Sequence, residues 1–212
     1  MATLDVEILL FDGFDELDAI GPYEVFDTAS AFGADLEVSL VTVDPVPRVI
    51  ASHELLVEPH GMLSSRVSPP DLLLVPGGGW SSDDGGVRQV VEAGRLPSAV
   101  GDLHDAGATV ASVCTGAMVL AEAGLLEGRP ATTHHSALDD LATAGADVRT
   151  TGDTSGTGVR AVDDGDVLTA GGITAGLDLA LWIVEREFGA EIAANVAREL
   201  EHERRDEIVQ LS

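Results

Sequence analysis

The stretch that most constrains this chain is Ala108–Ala117, which reads Ala-Thr-Val-Ala-Ser-Val-Cys-Thr-Gly-Ala. Thr109–Val113 is a short apolar run rich in β-branched residues, the pattern of a strand buried on both faces. Met118–Ala123 holds strong helix formers, so strand gives way to helix within about two residues. Cys114 stands at that change, and Gly116 follows where the backbone must turn. This is the layout of a nucleophile elbow with cysteine in place of serine. It would hold a sulfur above the carboxyl end of a sheet, beside the free N–H groups of a helix start. Helix N-termini stabilise negative charge, so the spacing predicts a lowered thiol pKa. The alternative for the same residue is a structural cysteine, because free cysteines are among the most buried side chains.

The rest of the chain alternates in a matching way. Val6–Phe11 predicts a first buried strand, and Gly21-Pro22 a helix start with Val25, Phe26 and Ala29 on its inner face. Between them lie Asp15, Glu16 and Asp18; only Asp18 is set among apolar neighbours, Leu17 and Ala19-Ile20, that could hold a carboxyl out of water. A helix-capping role is the other reading of Asp18. Leu36–Val43 predicts a second strand, and Val49–Ile50 with Leu55–Val57 a small hairpin. Asp71–Val75 is a further buried strand that runs into Pro76-Gly77-Gly78-Gly79-Trp80. Those glycines allow close backbone approach and could present N–H groups to an anion, or form a plain turn.

A helical stretch over Val87–Ala106 is interrupted near Gly94 and Pro97, and the elbow follows. Ala131-Thr-Thr predicts a strand with His134 and His135 at its end, only one of which can face a given pocket. Val159–Val162 and Val167–Ala170 read as a hairpin. Gly171-Gly172-Ile-Thr then leads into a helix over Ala175–Phe188 with Thr174 as N-cap, and Glu191–Glu207 reads as the last helix. Alternating strands and helices joined by glycine turns predict a three-layer α/β domain with a mostly parallel sheet. Ligands in such sheets sit outside the carboxyl ends of the strands, where Asp18, Gly77–Gly79 and Cys114 all fall.

Composition narrows the function. A chain of 212 residues suits one core, and a single cysteine excludes an internal disulfide framework. There are 37 acidic residues against 11 basic ones, all arginine, for a net charge of −26. Such a surface repels phosphate backbones, which argues against a nucleic-acid partner. It suits molar salt, where charge repulsion is screened over about 3 Å, and so points to a halophilic source. GC-rich coding would also favour arginine over lysine. No basic leader precedes Val6, and no apolar run approaches the ~20 residues of a membrane span, so a soluble cytoplasmic protein is expected. Six scattered histidines and one cysteine lack metal-ligand spacing, so no metal is expected.

Taken together, Leu17–Phe26, Leu74–Gly78, Ser112–Ala117, Ala131–His134 and Gly171–Asp178 resemble the ThiJ/PfpI superfamily over most of the chain. The resemblance implies a flavodoxin-like fold of the class I glutamine amidotransferase type. The set is most similar to isocyanide hydratases and the ligand domains of AraC-type regulators, which carry Asp where other branches carry Glu; Asp18 matches it. The implied activity is addition of water to a small electrophilic carbon without a cofactor. Cys114 would be the nucleophile and Asp18 the acid–base group, with Thr115 holding water. Gly77, Gly78 and Thr115 would supply backbone donors, and His134, His135 and Ile173 would line the pocket. The same resemblance implies a homodimer. Two departures stand out: Thr115 follows Cys114 where protease-like members place His, and His135 replaces a tryptophan usual in the hydratases. Glyoxalase or deglycase chemistry on 2-oxoaldehydes, or a cysteine redox or ligand sensor, are the alternatives. With no helix-turn-helix pattern read in the sequence and a charge that opposes DNA, a DNA-binding regulator is not expected.

Overall fold

The computed structural model describes residues 3–63, 69–81, 85–150, 159–205 and 208–210. Seven strands come first in the chain: β1 (Leu4–Leu9), β2 (Leu36–Thr42), β3 (Val49–Ile50), β4 (Leu56–Val57), β5 (Gly61–Met62), β6 (Leu72–Val75) and β7 (Thr109–Ser112). Five follow: β8 (Pro130–Ala131), β9 (Asp147–Val148), β10 (Ala161–Asp163), β11 (Val167–Ala170) and β12 (Ile208–Gln210). The helices are α1 (Glu16–Ala31), α2 (Val87–Ala93), α3 (Arg95–Asp105), α4 (Ala117–Glu122), α5 (Leu138–Thr143), α6 (Ala175–Phe188) and α7 (Ala190–Glu199).

Eight strands form one sheet in the order β12-β10-β11-β7-β6-β1-β2-β5. Every neighbouring pair is parallel except the β10–β11 hairpin. Leu72–Val75 and Val110–Ser112 are buried, as the middle of a sheet covered on both faces requires. Helices α1, α6 and α7 pack together on one face, and α2, α3 and α4 pack together on the other. The three-layer α/β architecture expected from the alternation is therefore present.

Strand β1 lies between β2 and β6, so the chain leaves it outward on one side and returns on the other. Helix α1, after β1, joins one helix layer, while α2, after β6, joins the other. The two loops meet at the carboxyl edge, where the Asp15 N–H donates to Gly77 O at 2.8 Å, at the position where doubly wound sheets bind ligands.

Several boundaries differ from the sequence reading. Helix α1 begins at Glu16 rather than at Gly21-Pro22, with Asp15 as N-cap accepting from the Leu17 N–H at 3.2 Å. Pro22 is carried inside the helix, where it gives up one interior hydrogen bond. Gly176 of α6 faces Pro22 and Val113; a Cβ there would sit 3.4 Å from Pro22 Cγ and 3.1 Å from Val113 Cγ1. The 87–106 stretch is two helices, parted at Gly94 in a left-handed conformation (φ 71°). The last helix stops at Glu199 instead of reaching Glu207, a residue outside those described, and β12 then adds an edge strand beside β10. Strand β5 supplies the opposite edge. No helix among the described residues is long and apolar enough to cross a membrane.

Candidate active site

Strand β7 ends at Ser112, and Val113 continues extended before Cys114 turns abruptly to φ 57°. A non-glycine residue at positive φ is uncommon and persists only where its surroundings hold it. Here both backbone groups of Cys114 are tied down. Its N–H donates to Gly171 O at 3.0 Å, and its carbonyl accepts from the Thr133 hydroxyl at 2.7 Å. The turn beyond it passes so close to β6 that a Cβ on Gly116 would lie 2.3 Å from Val75 O. The elbow thus exists because three segments clamp it.

Asp18 stands in the first turn of α1 and is fully buried. The Gly77 N–H donates to its Oδ2 at 3.0 Å, while Oδ1 is buried without a hydrogen bond of ordinary geometry. Burial raises the Asp18 pKa to about 7, helped by the charge of Asp15 and only partly offset by the Gly77 N–H and the Cys114 thiol. Cys114 moves the same way. Burial and then the Asp18 carboxylate push it to about 12, against the Thr115 and Ile173 N–H groups that favour a thiolate. The lowered thiol pKa expected from a helix start is not found. Helix α4 has only six residues, its approach is a 3-10 turn, and desolvation beside a carboxylate outweighs it. The two groups form a coupled pair that carries one negative charge between about pH 7 and 12.

The glycine loop packs against protein rather than leaving room for a ligand. A Cβ on Gly77 would sit 2.6 Å from Thr115 N, and Gly78, at φ 125°, approaches Gly13 O. Two of the three N–H groups expected to meet developing charge are already engaged: Gly77 by Asp18, Gly78 by the Thr115 hydroxyl at 3.0 Å. Thr115 therefore bonds across to this loop rather than to its own helix start. His134, His135 and Ile173 lie together in the wall of a cleft of about 360 Å³ that also holds Thr133 and Gly171, the residues that fix the Cys114 backbone; Cys114, Asp18 and Thr115 are not in its described wall. Ser136 N–H donates to His134 Nδ1 at 3.3 Å, which places the proton of a neutral ring on Nε2. Burial and the neighbouring His135 lower the His134 pKa. No histidine among the described residues is hydrogen-bonded to Cys114.

Sequence reasoning missed two supports, Thr133 and Gly171, and the N–H role of Ile173, which it had placed only in the pocket wall. Ile173, at φ 50°, turns its N–H toward the Cys114 sulfur, and the Thr133 hydroxyl and Gly171 carbonyl fix the elbow. Thr133 and the Gly171–Ile173 run sit in the quoted motifs, but only the fold brings them to the cysteine. Asp15 could have been found from its spacing, since Asp15-Glu-Leu-Asp18 is a helix-start pattern. Asp15, Glu16 and His53 have ligand atoms within 4.8 Å of one another. Asp15 is spent on its cap, and Glu16 binds the His53 ring at 2.7 Å, which ties the β3–β4 hairpin to α1.

The fold and site thus set a cysteine on a sharp turn after β7 against a buried carboxyl at the carboxyl edge of a mostly parallel sheet. Residues 5–186 match the DJ-1/PfpI family, and the chain belongs to it. It is 36% identical over 94% of its length to an isonitrile hydratase of Pseudomonas putida, covering 79% of that protein. It is 31% identical over 92% of its length to the HTH-type transcriptional regulator CdhR of Pseudomonas aeruginosa, spanning 54% of it. A crystal structure of a ThiJ/PfpI family protein from Pseudomonas syringae superposes with a TM-score of 0.81 at 25% identity, over 97% of this chain and 77% of that one.

Proposed function

We propose that this protein is an isocyanide hydratase-like enzyme that turns a small isocyanide into an N-substituted formamide. One observation carries the reading: the thiol of Cys114 is paired with the carboxyl of Asp18 and with no histidine. A Cys–His pair would serve acyl transfer. A Cys–Asp pair sharing one proton serves an electrophile that must gain a proton at the carbon under attack. The similarity to the Pseudomonas putida isonitrile hydratase supports the same conclusion.

In this mechanism the Cys114 sulfur bonds to the terminal carbon of the isocyanide, and Asp18 delivers the shared proton to that carbon, giving a thioimidate. Asp18, now ionised, takes a proton from water as its oxygen attacks the same carbon. Asp18 passes that proton to the nitrogen, the C–S bond breaks as the new hydroxyl becomes the formamide carbonyl, and the hydroxyl proton returns to the Cys114–Asp18 pair as the formamide leaves. The Thr115 and Ile173 N–H groups stabilise the departing thiolate. The Thr115 hydroxyl, which accepts from Gly78 N–H, keeps its own proton free to orient the water. The active unit is a homodimer joined through the β3–β4 hairpin, where Ile50, Leu55 and Leu56 are exposed.

Incubating the protein with an aryl isocyanide, methylglyoxal or dilute peroxide tests the assignment. Formation of the aryl formamide is expected, lost in Cys114→Ala and reduced by at least ~100-fold in Asp18→Asn. Consumption of methylglyoxal alone would move the assignment to glyoxalase chemistry. A stoichiometric mass gain from peroxide, with no turnover of either carbon substrate, would make Cys114 a sensor.

A further inference from the structure

The described wall of the cleft that Ile173 lines carries basic side chains and no acidic ones. Acids outnumber bases by 37 to 11 in the chain, yet no Asp or Glu is found among the described residues lining the cleft. Two arginines are: Arg160 and Arg205. With them stand His134, His135 and Thr174, so every charged or titratable wall group is a donor or can become one.

The arginines are held there by a device behind the wall. Asp178, fully buried in α6, accepts Arg160 Nε at 2.7 Å and Nη2 at 2.5 Å on Oδ2. Its Oδ1 accepts His202 Nε2 at 2.8 Å and the Arg205 backbone N–H at 3.2 Å. The single carboxylate is thus enclosed by donors and turned away from the cleft. It anchors the Arg160 side chain and the backbone from which Arg205 projects. Thr174 completes the arrangement. It occupies the N-cap position of α6, as expected from sequence, yet its hydroxyl makes no cap bond and instead accepts from Arg160 Nη1 and Nη2 at 3.3 and 3.2 Å. Its own proton is left to donate. A neutral His134, protonated on Nε2, presents another donor edge where its ring packs on Gly172.

Thr133, Gly171 and Ile173 belong both to this cleft and to the clamp around Cys114. Ile173, whose N–H faces the Cys114 sulfur, lines the cleft, so a molecule seated there lies one residue away from the sulfur. We infer that the cleft binds a carboxylate carried by the substrate, so that the electrophile processed at Cys114 is an anionic molecule. Arg205 gives charge, Arg160 and Thr174 give directed N–H and O–H groups, and Ile173 separates the anionic end from the reacting end. A carboxylate taken up by a protein of net charge −26 is otherwise repelled, so the local inversion of charge is what makes an anionic substrate feasible. This inference rests on the proposed thiol chemistry at Cys114 but not on the isocyanide itself.

Alkylation of Cys114 reads the cleft without turnover. Matched reagents are used at ~1 M salt, where long-range repulsion is screened: iodoacetate against iodoacetamide, and 4-(bromomethyl)benzoate against its amide. In each, sulfur bonds to the methylene carbon as halide leaves. The anionic member is expected to react faster in at least one pair, and Arg205→Gln is expected to lower that anion-to-amide rate ratio about tenfold. Arg205 bonds Asp178 through its backbone, so Gln keeps that support; Thr174→Val is a second variant expected to lower the same ratio. Faster reaction of the amide in both pairs, or a ratio untouched by Arg205→Gln, overturns the inference. Turnover of 4-isocyanobenzoate and its methyl ester separates the two proposals. A KM for the acid no lower than for the ester would reject the anion site and leave the hydratase standing. No turnover of either, with the alkylation preference intact, would reject the isocyanide and leave the anion site standing.

Discussion

Asp18→Asn removes an ionisable carboxyl from a fully buried position and leaves an amide oxygen for the Gly77 N–H. The carboxyl's pKa rises from 3.8 to about 7 on folding, chiefly through burial. At ~1.4 kcal/mol per unit, that rise corresponds to a cost on the order of 4 kcal/mol for ionising it inside the fold. The sign follows from proton binding. Below pH ~3.8 the group is protonated in folded and unfolded chains alike and contributes nothing. Between there and about 7 only the unfolded chain gives up the proton, so stability falls as pH rises. Above about 7 the whole cost is present. The variant should therefore match wild type near pH 4 and exceed it at pH 8, by roughly 10 °C in melting temperature for a chain of this size. Thermal melts of both proteins from pH 4 to 9 at fixed high salt give the answer. A difference that stays flat with pH, or that favours wild type at pH 8, would show that the fold does not hold this carboxyl protonated, and the paired-proton mechanism would fall with it. Greater stability joined to loss of turnover is the expected signature of a strained functional group.

Three further outcomes are expected. Gly116→Ala places a Cβ 2.3 Å from Val75 O at an ordinary φ of −55°, so the clash alone should destabilise the fold by roughly 2–3 kcal/mol, read by denaturant unfolding. The net charge of −26 should make the melting temperature fall as salt is lowered from ~1 M to ~0.1 M, and no change across that series would reject the reading of the surface as adapted to salt. Leu56→Glu on the exposed hairpin should give a monomer in light scattering where wild type gives a dimer; a wild-type monomer would remove the dimer proposal.

Much of the site was legible because its signals are local. The strand-to-helix change at Cys114, the apolar setting of Asp18 and the glycines after a buried run each follow from a few neighbouring residues. The start of α1 was missed because Pro22 is a strong local helix-start signal, whereas the Asp15 cap starts the helix at Glu16 and carries Pro22 inside it. Strands β5 and β12 were missed because two or three residues show no periodicity; pairing with Thr42 and Ala161 makes them strands.

The linear order of apolar runs and turn residues determined an α/β fold, a cysteine at a sharp turn and a carboxyl in an apolar setting, since those depend on neighbours in the chain. The direction of the Cys114 pKa depended on the tertiary structure, because desolvation and the approach of Asp18 act through space and outweigh a six-residue helix. So did the engagement of Gly77 and Gly78 and the gathering of Arg160, Thr174 and Arg205 around Asp178. Electrostatic energy depends on distance and burial, and residues far apart in sequence acquire both only when the sheet and helices close.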